Sequence, residues 1–236
     1  MILFFIIVTL GIIIGKHIYE IHNFNHEAYL QQLQSATKEE IFEKLKERNP
    51  LLIHNLGNKN DTIREITIQK LISDNPGYII NDKNKNISLS VFNDPAVSQM
   101  NIYKNNKLPI DFNLINDMND IYQPFESQIH CNQNYYLSLL KGSNAISLTQ
   151  NKHNLLLIHQ IQGVSKLYLF NPKHKQDIIL KDNNEIKKWG QKINLVPGLV
   201  LYIPIEWYYF WETEEDSIVA EIESDNYFTV LYNNLR

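Results

Sequence analysis

The stretch Val196-Pro-Gly-Leu-Val-Leu-Tyr-Ile-Pro-Ile-Glu-Trp-Tyr-Tyr-Phe-Trp211 decides the fold of this chain. Pro197 fixes its own φ and Gly198 accepts a positive one, so the pair predicts a tight turn. Residues 199–203 follow as a buried strand, apolar and partly β-branched. Pro204 has no N–H to give a ladder and stops it. The aromatic run Trp207, Tyr208, Tyr209, Phe210 and Trp211 then opens a second strand. A turn, a strand, a proline and an aromatic strand make one corner of a small all-β barrel.

Working outward, residues 155–161 and 167–170 read as two apolar strands joined around Gly163, and Asn171-Pro172 ends the second. Further on, residues 217–222 and 227–232 read as the last strands, with acidic turns at 213–216 and 223–226. Val219, Glu221 and Glu223 alternate with Ile218, Ala220 and Ile222, which leaves one face apolar.

These motifs resemble the JmjC-like branch of the cupin superfamily. There the corner reads Pro-Gly-Asp-x-Leu-Tyr-Ile-Pro-x-x-Trp-x-His, and residues 196–207 match it with Leu199 at the acidic position. The family hairpin carries His-x-Asp, then Gln-x-x-Gly-x-Lys, then Leu-Phe-x-Pro. Gln160-Ile-Gln-Gly163 and Leu169-Phe-Asn-Pro172 match in step. The resemblance covers about residues 28–232 and implies a double-stranded β-helix, the jelly-roll of that family. It implies iron(II) and 2-oxoglutarate as cofactors where the ligands are kept. Here the three metal-ligand positions fall on Gln150, Lys152 and Tyr209. The co-substrate positions fall on Ser147, which keeps its hydroxyl, and on Ser165, with Lys166 one step later.

Non-haem iron needs two neutral imidazoles and a carboxylate on one face. Gln150 offers only an amide oxygen, Lys152 an ammonium that repels a dication, and Tyr209 a phenol with an ordinary pKa near 10. The expectation is a pseudo-oxygenase that needs no cofactor, has no catalytic or metal-binding residues, and serves as a binding module for a protein or small molecule. On this reading Gln150, Lys152 and Tyr209 converge inside the barrel as vestiges of a metal site. The alternative is an active 2-oxoglutarate-dependent oxygenase, of protein hydroxylase or demethylase type, with a non-standard metal site. A second register, set by His153-Asn-Leu-Leu156, moves the ligand positions to Leu148 and Gln150 and leaves the motif broken. His153 and His159 share a face if they lie on one strand, and make an alternative site with His130 or Glu206. His130 beside Cys131 is not a metal site by itself. Trp207, Tyr208 and Trp211 line the barrel mouth, or simply pack the core and rim.

Composition narrows the partners. With 236 residues, 44% of them hydrophobic, one globular domain with a real core is expected. A net charge of −4 without a basic block gives no nucleic-acid footprint. The single cysteine excludes an internal disulfide framework and a cysteine-rich zinc site. No Gly-rich phosphate loop and no Gly-x-Ser-x-Gly elbow occurs.

Residues 1–15 are apolar or small except Thr9, and Lys16 and His17 close the run. Continued through Ile18, Tyr19 and Ile21, with Lys16 snorkelling, it reaches about a full ~30 Å span. A signal peptide should carry a basic n-region and a small-x-small cleavage site, and a core helix should carry a polar face. Residues 1–21 are therefore read as a single-pass membrane anchor, and residues 22–236 as the cupin domain. A helical lead-in at 22–75 precedes a barrel at about 78–232. Within the lead-in, residues 26–34 predict an amphipathic helix. Thr37 and Glu40 make a capping box for a second helix that ends before Asn49-Pro50. Residues 51–54 predict a strand, 61–73 one helix capped by Asp61, 78–80 a strand, 83–86 a polar loop, and 112–121 a short helix. Residues 129–130 and 135–140 predict strands.

Overall fold

The computed structural model describes residues 1–22, 29–82, 85–126 and 130–235. The chain opens with helix α1 (Ile2–His22), then strand β1 (Gln31–Leu33), helix α2 (Lys38–Lys46) and strand β2 (Leu51–Ile53). Short helices α3 (Asp61–Arg64) and α4 (Ile68–Asp74) precede the paired strands β3 (Ile79–Asp82) and β4 (Lys85–Ser88). Strand β5 (Met100–Asn105), helices α5 (Leu108–Asp111) and α6 (Ile115–Tyr122), and strands β6 (Asn132–Lys141), β7 (Asn144–Gln150), β8 (Leu155–Gln162) and β9 (Ser165–Phe170) follow. Then come α7 (Lys175–Ile178), α8 (Asn183–Ile186), β10 (Gln191–Leu195), β11 (Val200–Ile203), β12 (Tyr208–Thr213), β13 (Ser217–Asp225) and α9 (Tyr227–Leu235).

The result is a mixed α/β architecture. A large sheet runs in the order β1-β2-β11-β8-β13-β6-β5, and a smaller one in the order β10-β9-β12-β7. Every pairing is antiparallel except β1 with β2. The two sheets pack face to face. Between them lies an apolar cluster built from Leu156, Ile158, Leu201 and Val219 of the large sheet and Leu167, Leu169, Tyr209 and Trp211 of the small one. The outer face of the large sheet, with Leu155, Leu157, Ala220 and Ile222, is covered by the helical layer through Ile41, Met118 and Phe125. The outer face of the small sheet, with Tyr168, Phe170, Tyr208 and Phe210, is covered by Ile178 and Ile186.

The corner at residues 196–211 forms as its sequence requires. Gly198 has φ +87 and a Cβ there would meet the Asn58 side chain at 2.3 Å, so both the turn and the close approach need glycine. The capping box at Thr37 and Glu40 is present in both directions. Other expectations change. The helix expected at 61–73 is two helices, and Asn60 rather than Asp61 caps the first. Residues 227–232 lie in helix α9 rather than a strand, and residues 223–225 continue β13 rather than turning. Asn226 explains the stop: its side-chain oxygen accepts from the Thr229 N–H and starts the helix. The amphipathic helix expected at 26–34 falls partly outside the described residues, and residues 31–33 form β1 instead. In the loop expected at 83–86, residues 83–84 lie outside the described residues and 85–86 belong to β4. Of the strand expected at 129–130, residue 129 lies outside them and His130 is in no regular element.

Helix α1 is long and apolar enough to cross a membrane over Phe4–Ile21, and only 6% of that window is buried. Its foot touches the body: the His17 and Phe228 rings lie 5.5 Å apart, and Arg48 reaches Glu20 at 3.5 Å.

Candidate functional site

The space between the sheets is not uniformly apolar. Because strand residues alternate faces, Glu221, Glu223 and Asp225 follow Val219 into that space, while Ile218, Ala220 and Ile222 face the helices. Strand β5 supplies the counter-charge. Its ladder with β6 breaks between Ile102 and Asn105, and Lys104 has a positive φ of 51. This bulge lets Tyr103 and Lys104, neighbours in sequence, both reach the inter-sheet face.

Lys104 Nζ stands 3.0 Å from Glu221 Oε2 and 2.5 Å from Glu223 Oε1. It also lies over the Tyr136 ring, 5.6 Å from the centroid. The other Glu223 oxygen is 3.2 Å from His153 Nε2, and His153 Nδ1 is 2.8 Å from Asp225 Oδ2. The remaining Asp225 oxygen accepts the Asn154 N–H at 3.0 Å. Glu221 is 0% exposed and pairs with Lys104, and neither of its oxygens accepts a hydrogen bond among the described residues. Three carboxylates thus share one ammonium and one imidazole, the acids buried and the two cationic groups partly exposed.

Each group titrates accordingly. Burial pushes Glu221 up, and Lys104 offsets part of this. Burial alone would lower Lys104, but Glu221, Tyr103 and Glu223 outweigh it and raise the ammonium. His153 is raised because Asp225 and Glu223 overcome its desolvation. Tyr209 is driven well up by burial and by the charges of Glu221 and Glu223, so its phenol stays protonated. Among the described residues, no group of three or more His, Cys, Asp or Glu side chains is arranged to hold a metal ion.

The residues singled out from the sequence are dispersed. Tyr209 is 1% exposed and lies between the sheets, next to Tyr103 and Glu221. Gln150 does not join it. In the β7–β12 ladder Gln150 faces Tyr208, whose ring belongs to the outer cluster of the small sheet, whereas Tyr209 faces Thr149. The Gln150 amide donates to Glu206 Oε2 at 2.9 Å, on the surface beside Leu148 and Leu180. Lys152 is exposed, in the turn after β7. The expected convergence of Gln150, Lys152 and Tyr209 is therefore corrected: a register shift between Tyr209 and Trp211 puts Gln150 on the face opposite Tyr209. Ser147 is exposed on the same outer side as Gln150. Ser165 is buried and faces inward with Leu167 and Leu169, its hydroxyl without a partner among the described residues. It lies opposite Thr213, four residues along the ladder from Tyr209, roughly 13 Å away. Lys166 points to the other face and pairs with Glu214. Trp207 and Trp211 pack between the sheets and Tyr208 packs outside the small one, so all three are walls rather than a rim.

The histidines also separate. Residues 151–154 form a turn, not a strand, so the shared face expected for His153 and His159 does not exist. His159 lies on the helical side against Gly57, where burial lowers it to about 4. His130 stands near Glu126, at 3.7 Å.

Sequence reasoning missed Lys104; it read Glu221 and Glu223 only as alternating with the apolar face of the strand, and placed 223–226 in an acidic turn. The available signal was three acidic residues at a spacing of two on a strand whose other residues are apolar. Neither any protein-family model nor any curated protein matches this sequence.

Proposed function

We propose that this chain is a membrane-anchored, JmjC-like double-stranded β-helix that has left oxygenase chemistry and acts as a binding module. The motif matches at residues 196–207 and 160–172 support the family reading, and the two stacked sheets are compatible with it. The observation that carries the loss of chemistry is Lys104. A fixed ammonium stands beside Glu221 and Glu223 between the sheets, in the space that Tyr209 also enters, so a dication drawn to those carboxylates would meet it. Seating a metal there would bring two cations together in a poorly screened space, at a cost of several kcal/mol. The surfaces then carry the function, with α1 holding the module at a membrane.

The test is anaerobic calorimetric titration of the full chain with iron(II), or manganese(II) in its place, with and without 2-oxoglutarate. No saturable binding is expected. Stoichiometric micromolar binding overturns the reading and favours an active oxygenase.

A further inference from the structure

We propose that the cleft at the foot of α1 binds an amphiphile with one acyl chain and an anionic head, either a carboxylate or a phosphate. The cleft has a volume of ≈ 630 Å³, within the range of small-molecule sites. It lies outside the large sheet, on the face opposite Glu221. Its apolar wall is Phe42, Leu45, Phe125, Leu155, Tyr202 and Ile205. Phe42 is half exposed at 51%, which leaves the cleft open on the α2 side.

Among the described residues, the Arg48 guanidinium in this wall has a nitrogen without a partner. Arg48 has φ 53, an uncommon conformation for a residue with a side chain, and follows directly from α2. Its Nη2 faces Glu20 at 3.5 Å, but its Nη1 is buried and has no hydrogen-bond partner among the described residues. A guanidinium cannot shed its charge, and its fork fits a carboxylate or phosphate. The acids nearby are already engaged: Glu20 also faces Lys16 at 3.8 Å, and Glu47 accepts from Lys44 at 3.0 Å and from Gln31. An anion entering the cleft would therefore satisfy Arg48 without displacing the acids from their other partners.

The acyl chain is argued from position. Glu20 lies at the end of the apolar helix, so the cleft opens where α1 would leave a bilayer. That step rests on the reading of α1 as a membrane span. The orphaned guanidinium and the apolar wall do not depend on it.

The experiment uses the full chain in phosphatidylcholine nanodiscs. The probes are a palmitate carrying a diazirine near its methyl end and the matching lysophosphatidate, with adducts mapped by peptide mass spectrometry. Adducts are expected on peptides containing residues 42–48, 155 or 205, competed by oleate but not by millimolar inorganic phosphate. The stronger of the two probes identifies the head. Arg48→Gln should lower cleft labelling about tenfold or more, from loss of a charge-assisted contact. Leu45→Trp, which fills the cleft and keeps Arg48, should do the same, with both variants checked for unchanged melting. Adducts confined to α1, or equal labelling in both variants, overturn the proposal. Competition by inorganic phosphate also overturns it, since the site would then take a free anion. If carbonate extraction releases the chain from membranes, the anchor reading fails. Cleft labelling by the same probes in solution then decides this proposal separately.

Discussion

Replacing Lys104 by Met keeps the length of the side chain and removes its charge, which isolates the electrostatic role of the ammonium. Glu221 is fully buried and loses its cation, and Glu223, nearly buried, keeps only His153. Breaking a buried pair by removing one partner costs about 3–5 kcal/mol. Lys104 keeps 22% of its side chain exposed, so the lower end, about 3 kcal/mol, is expected near neutral pH. Glu221 can escape by taking a proton, and its pKa is already raised. The cost should therefore shrink as pH falls toward 5, which a packing defect would not do. Adding Glu221→Gln to the variant should recover at least about 1 kcal/mol, because the uncompensated charge is gone. The assay is denaturant unfolding of the full chain in mild detergent, followed by fluorescence of the buried Trp207 and Trp211. A loss below about 1 kcal/mol, or a double variant no more stable than the single one, would refute the claim that this network holds its charges through Lys104.

The half-buried His153 and the buried His159 should give opposite pH signatures. His153 is raised, so its contribution is complete below the unfolded pKa of about 6.5 and is lost as pH rises through its folded value; His153→Gln should flatten the alkaline fall of a melting-temperature profile. His159 is lowered to about 4, so stability should fall as pH drops from about 6.5 toward that value, by roughly 3 kcal/mol, and His159→Leu should remove that slope from an acid unfolding series. Gly57→Ala would place a Cβ 2.0 Å from His159 Nε2 against a ring that is 2% exposed, and should cost about 1–3 kcal/mol in denaturant unfolding; a change under ~0.5 would show that the ring is free to move. Carbonate extraction should leave the full chain in the membrane pellet, and release of intact chain would remove α1 as an anchor.

Local chemistry made part of this protein legible. The Pro197-Gly198 turn, the strand after it, the Thr37 cap and the apolar run of α1 are set by residues within a few positions of one another, so sequence alone determined them. The small polar residues around 223–226 misled because the same residues suit a strand end or a helix cap. Asn226 acts as the cap only once β13 has carried the chain to α9. Which face each strand presents was decided by tertiary structure. One shift in the β7–β12 ladder turned Gln150 away from Tyr209, and period-2 alternation cannot foresee such a shift. The same limit hid the ionic centre. Lys104 and Glu221 are separated by more than a hundred residues, and the bulge that turns Lys104 inward forms only against β6. The alternation around Glu221 and Glu223 marked one apolar face and did not say what covers the other, although acids are seldom fully buried. Packing a second sheet over them made that face an interior, and the ammonium from β5 is what makes their burial tolerable.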